Sequence, residues 1–181
     1  REVLLCTDAE VSDFQIFNFS IAPDLLLYSY IPIAILSLFF AIFIGTSKND
    51  STGTSKKFFS ILSLVFTVHV LNELAQWVVV PAGLMYFGWG LSLLLHALIA
   101  FFLLNFVISF TYNKPPSFRT NLLTTLLLAP IIIFLPTRLS LLGFDTDWCG
   151  AIDGPLWSYM YLLEILTTII FLVLAIRSHF E

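Results

Sequence analysis

Five apolar runs, each close to the length a helix needs to cross a bilayer, constrain this chain more than any other feature. A hydrocarbon core of about 30 Å takes roughly 20 apolar residues as α-helix. The runs cover residues 25–44, 58–80, 88–110, 121–136 and 155–176. Each is continuous, whereas a membrane strand would alternate in polarity over about ten residues. The pattern predicts an all-α membrane protein, a bundle of five transmembrane helices. The fourth run is the shortest and contains Pro130. Charge content agrees: 11% of the 181 residues are charged and 59% are hydrophobic, where soluble domains carry about 25% charge. So few ionisable groups cannot cover a water-exposed surface. A net charge of -4 offers no basic face, which excludes nucleic-acid binding.

The loops give the orientation. Lys48, Lys56 and Lys57 lie between the first and second runs, Lys114 and Arg119 between the third and fourth, and Arg177 after the fifth. All of these fall on one side of a five-span chain, and only Arg1 and Arg138 fall on the other. The positive-inside rule makes the richer side cytoplasmic, so the N-terminus is expected outside and the C-terminus inside. Glu2, Asp8, Glu10, Asp13, Asp24, Asp145, Asp147 and Asp153 then all lie outside. Tyr28, Tyr30, Trp77, Trp89, Tyr112, Trp157 and Tyr159 stand near run ends, as an interfacial aromatic belt would.

Two outer segments remain, an N-terminal segment of residues 1–24 and a loop of residues 137–154. Alternation over residues 17–21 suits a short strand. Gly143, Asp145, Asp147, Gly150 and Gly154 make the second segment read as loop and turns. Cys6 and Cys149 both fall outside, where an oxidising compartment favours a disulfide. Such a bond would pin the N-terminal segment to the loop as a small cap; two unrelated thiols are the plainer alternative. The sequon Asn18-Phe19-Ser20 also lies outside. The chain opens at Arg1 and stops at Glu181 just after an apolar run, so it reads as a piece of a longer protein, with residues 178–181 starting a cytoplasmic linker.

Ionisable residues inside a span are costly and point to function or to a polar interior. On the second run His69, Asn72, Glu73 and Gln76 sit at i, i+3, i+4 and i+7, one arc of about 100° on a helix. On the third, His96 shares a stripe with Gly88, Ser92 and Ala100 at four-residue spacing, which lets helices approach closely. On the fifth, Glu164 shares a face with Tyr161, Thr167 and Thr168. At a rise of about 1.5 Å per residue, Glu73, His96 and Glu164 lie about 10–13 Å below the outer ends, and His69 about 16 Å. Convergence of His69, Asn72, Glu73, Gln76, His96 and Glu164 on an outward-facing polar cavity is therefore expected. It would hold a proton, a cation or a small polar ligand. Interhelical hydrogen-bond glue is the structural alternative. The set includes zinc-compatible ligand types, but the sequence makes no metal or cofactor assignment. Asn105 and Ser109 read as packing contacts. No His-Glu-x-x-His, phosphate loop or Gly-x-Ser-x-Gly elbow is present, so no enzymatic activity is assigned to this chain.

Residues 56–64 (Lys-Lys-Phe-Phe-Ser-Ile-Leu-Ser-Leu) and 72–77 (Asn-Glu-Leu-Ala-Gln-Trp) resemble the second helix of the N-terminal seven-helix sensor region of bacterial histidine kinases. Residues 88–96, from Gly-Trp-Gly-Leu to His96, and 105–111 (Asn-Phe-Val-Ile-Ser-Phe-Thr) are similar to that family's third helix and its cytoplasmic exit. Pro130 to Pro136 and Tyr159-Met160-Tyr161 look like its later helices. The resemblance implies a sensory input domain in a bacterial inner membrane, two further helices and an output module beyond Glu181, and a homodimeric receptor. The alternatives are an ion or proton transport component and an assembly subunit of a membrane complex.

Overall fold

The computed structural model describes residues 24–47, 53–78, 82–135, 137–145 and 150–180. Cys6, Cys149, the sequon and the strand expected over residues 17–21 lie outside them. Among the described residues the order is α1 (Asp24–Thr46), α2 (Gly53–Val78), α3 (Ala82–Tyr112), α4 (Phe118–Phe134), β1 (Leu141–Asp145), β2 (Gly150–Asp153) and α5 (Pro155–Phe180). This is the expected all-α bundle of five helices. Four of them, α1, α2, α3 and α5, are long and apolar enough to cross a membrane. The fourth, α4, has 17 residues, about 25 Å at the helical rise and so shorter than a bilayer core. Pro130 lies inside it, as prolines often do in membrane helices whose neighbours satisfy the freed backbone.

Small residues join α1 to α2. Ala34 and Ala41 are buried on α1. Ser37 Oγ donates to Ser63 O at 2.8 Å, and Ser60 Oγ to Ala41 O at 2.7 Å. A Cβ at Gly45 would stand 2.7 Å from Ser60 Oγ, so any larger residue there would turn this hydroxyl away from the Ala41 carbonyl. Where both helices face lipid, close backbone contact and hydroxyl-to-carbonyl bonds replace the hydrophobic drive available in water. The opposite face of α2 packs along α3. Beyond Tyr112, Asn113 takes a left-handed φ of 50°, a conformation Asn tolerates at helix C-termini. Ser117 then caps α4 by accepting from Thr120 N.

The apolar core lies where α3, α4 and α5 meet, around Leu93, Ala97, Leu128, Ile131, Met160 and Leu163. Tyr159 OH donates to Leu127 O at 2.7 Å, tying α5 to α4. The outward faces of α1 and α5 are almost wholly apolar and exposed, from Ile31 to Phe43 and from Leu162 to Ile176. An apolar surface of this extent requires a hydrophobic surrounding, and a lipid bilayer provides it.

The segment expected to be loop is instead an antiparallel hairpin. Leu141 pairs with Asp153 and Asp145 with Gly150, with an irregularity between Leu141 and Gly143. Its base is bonded to the bundle: Gly154 N donates to Ser140 O and Leu156 N to Leu139 O, each at 3.0 Å. A Cβ at Gly154 would collide with the Leu139 carbonyl, so a glycine is required there. The hairpin marks one end of the bundle, and Lys56 and Lys57 near the start of α2 mark the other.

Candidate functional site

All six polar residues singled out on α2, α3 and α5 come together in the hairpin half of the bundle. They form two linked groups. In the first, Ser92 of α3 is the hub. Its hydroxyl accepts from Asn72 Nδ2 at 2.8 Å and from Gln76 Nε2 at 2.7 Å, and donates to Glu73 Oε1 at 2.7 Å. Asn72 also donates to the Gly88 carbonyl at 3.0 Å. A Cβ at Gly88 would approach Gln76 Cγ to 3.1 Å, so its absence lets the α2 amides reach the α3 backbone. Helical periodicity produces this seam: residues 72, 73 and 76 share one arc of α2, and 88 and 92 share one stripe of α3.

The second group joins α3 to α5. His96 Nδ1 stands 2.6 Å from Glu164 Oε1, within hydrogen-bond distance, and the histidine tautomer sets which of the two donates. The His69 ring meets that of His96 edge to face, with centroids 4.6 Å apart and planes at 75°. Trp157 closes the other side, 5.8 Å from the His96 ring. The groups are linked through His69, whose Nδ1 is 3.9 Å from Glu73 Oε1. That distance lies within ion-pair range but beyond a hydrogen bond. His69 Nδ1 is buried and makes no hydrogen bond among the described residues. One polar chain thus runs Gln76–Ser92–Glu73–His69–His96–Glu164 across three helices.

Other residues fall into place differently. Thr168 Oγ1 donates to the Glu164 carbonyl of its own helix. Thr167 lines a small cavity of about 50 Å³ between α3, α4 and α5, otherwise walled mainly by Leu127, Leu128, Leu163 and Leu166. Tyr161 faces outward. Asn105 is fully buried, as packing requires, and donates to Phe101 O at 2.9 Å. Its Oδ1 and Ser109 Oγ have no hydrogen-bond partner among the described residues.

Two participants were read differently in the sequence. Ser92 looked like a spacer on a packing stripe, yet it makes three of the site's hydrogen bonds. Trp157, assigned to the interfacial belt, is 5% exposed and belongs to the core. Its position one turn after the hairpin turns it inward over His96. Tyr28, Trp77 and Tyr112 do face outward. Among the described residues no group of three His, Cys, Asp or Glu side chains is placed to hold a metal ion. Chemically, the arrangement can exchange protons and redistribute charge between helices. Comparison with protein-family models, curated proteins and solved structures finds no match to this chain.

Proposed function

We propose that this chain is a membrane-embedded sensory input domain of a signal-transduction receptor, responding to protonation or a small polar ligand at the His69–His96–Glu164 junction. The observation carrying this reading is the 2.6 Å contact between His96 and Glu164. It joins α5 to a unit, α1–α2–α3, whose members pack along one another. Helix α5 leans mainly on α3 and little on α4. A change in charge at this pair therefore acts on the less tightly held helix. Histidine is the side chain whose ordinary titration lies nearest physiological pH, and His69 Nδ1 supplies an unfilled polar valence beside it. A stimulus that binds one arrangement of α5 better than another shifts the balance between them. The resemblance to the sensor region of bacterial histidine kinases points the same way. In that reading the chain works in a bacterial inner membrane with its hairpin end outside, and the apolar faces of α1 and α5 leave room for a second copy.

The test is thermal stability of the purified chain against pH and a panel of small polar ligands, in wild type, Glu73→Gln, His96→Ala and Glu164→Gln. A stability shift in wild type that is lost in the variants supports a responsive site. Equal responses in all four, with only baseline differences, would make the cluster structural glue.

A further inference from the structure

We propose that the groove between α1 and α2 at the lysine end binds the phosphate head group of an anionic phospholipid. The groove encloses about 380 Å³ and is lined by Gly45, Ser47, Gly53, Lys56, Lys57 and Ser60, with Ile44 and Ile61 as its apolar wall. Both charged groups among these lining residues are lysines. They converge on a space where two membrane-spanning helices meet at their polar ends, one ending at Thr46 and the other beginning at Gly53. That is the depth at which phospholipid head groups lie. Basic pockets between membrane helices bind lipid phosphates in this way. The Ser47 hydroxyl can donate to a phosphate oxygen. Ser60 is already committed as a donor to the Ala41 carbonyl and offers only a lone pair, so the positive charge comes from the exposed Lys57 and from Lys56, which keeps a contact of its own as well. The first turn of α2 adds the partial positive charge of its N–H groups. Among the described residues nothing lies within 4 Å of where a Gly53 Cβ would be.

The isoleucines decide between a lipid and a free anion. A soluble phosphate gains nothing from Ile44 and Ile61, whereas the glycerol and upper acyl chain of a phospholipid cover them. Ile61 is among the exposed apolar residues, on the path a chain would take down the α2 surface. The occupant is therefore a lipid whose phosphate sits at the lysines and whose chain follows the helix.

The full chain in neutral detergent is titrated with phosphatidylglycerol or phosphatidylcholine, and binding is read from the rise in melting temperature. Stabilisation by phosphatidylglycerol and little by phosphatidylcholine is expected. Lys56→Gln and Lys57→Gln should each weaken the anionic lipid about fivefold, and the pair roughly 25-fold, from the attraction of one lysine to an anionic surface. Lys56→Arg with Lys57→Arg should retain binding, and Lys114→Gln, at another loop, should leave it unchanged. Equal stabilisation by the two lipids would overturn the proposal, as would undiminished binding in the double glutamine variant. Equal loss in Lys114→Gln would reduce the effect to general surface charge. Inorganic phosphate that displaces the lipid and stabilises the protein as fully would assign the groove to a soluble anion instead.

Discussion

Separating His96 from Glu164 should reveal a coupling energy of about 1–1.5 kcal/mol, toward the upper end of values measured for polar pairs between membrane helices. The magnitude follows from the contact. Its length is 2.6 Å, and the two side chains keep 30% and 36% of their surface accessible. A buried hydrogen bond to a charged group contributes about 1.5–3 kcal/mol. Interhelical pairs in membranes average about 0.6 and reach about 1.7 kcal/mol, because the unfolded chain also finds partners. A short contact that is one-third accessible belongs between the mean and the ceiling of that second range. The assay is a double-mutant cycle of wild type, His96→Ala, Glu164→Ala and the double variant, unfolded reversibly in mixed micelles by added sodium dodecyl sulfate. Each single change should cost more than the coupling, about 2–3 kcal/mol, since it strands a partner partly withdrawn from water. A coupling below about 0.3 kcal/mol, the scatter expected of independent sites, would refute the view that this pair holds α5 to α3.

Ser92→Ala removes an acceptor for two amides and the donor to Glu73; it should destabilise the protein by about 1–3 kcal/mol, whereas Ser92→Thr, which keeps the hydroxyl, should recover most of that loss, both read in the same micelle unfolding. Gly154→Ala forces a methyl group into the Leu139 carbonyl; a loss of about 1–3 kcal/mol and faster proteolysis within residues 137–154 are expected, and a neutral result would mean the hairpin base is looser than described. Partial burial at the hairpin base raises the Asp153 carboxyl above its usual range. A raised carboxylate favours the folded state when protonated, so stability relative to Asp153→Asn should fall as pH rises from about 3.9 through the raised value, then level off. The difference should be small, because the side chain is largely open to solvent.

Much of this arrangement is legible in the residues, for identifiable reasons. The arc of His69, Asn72, Glu73 and Gln76 follows directly from helical periodicity, and their level along the bundle relative to His96 and Glu164 from residue counting, so both survive into three dimensions. Apolar runs locate lipid-crossing segments but not helix ends. The α2 helix begins at Gly53, several residues before the run at 58, because a helix entering water needs no apolar residues there; α3 begins at Ala82 because residues 82–87 continue the apolar span past Gly88. Ser92 escaped notice because a serine on a small-residue stripe packs as well as an alanine. Its donors and acceptor become apparent only when α2 lies opposite. Trp157 near a span end is ambiguous by position alone, and contact with His96 decides its facing. The hairpin stayed hidden because glycines and aspartates in residues 143–154 are turn formers. Local propensity is overridden there by cross-strand pairing and by the bonds that fix Gly154 and Leu156 to residues 139–140.

The most direct test is the distance between α3 and α5 as the junction changes protonation. Spin labels carried on unnatural amino acids at Phe110 and Ile176, both outward-facing, leave Cys6 and Cys149 untouched. Distances measured by pulsed electron resonance in nanodiscs on either side of the histidine range, at about pH 5 and about pH 8, should differ in wild type by a helix shift of about 1–2 Å or more. In Glu164→Gln the two distributions should coincide. Identical distributions in wild type, or an undiminished shift in the variant, would contradict a sensory role for this junction.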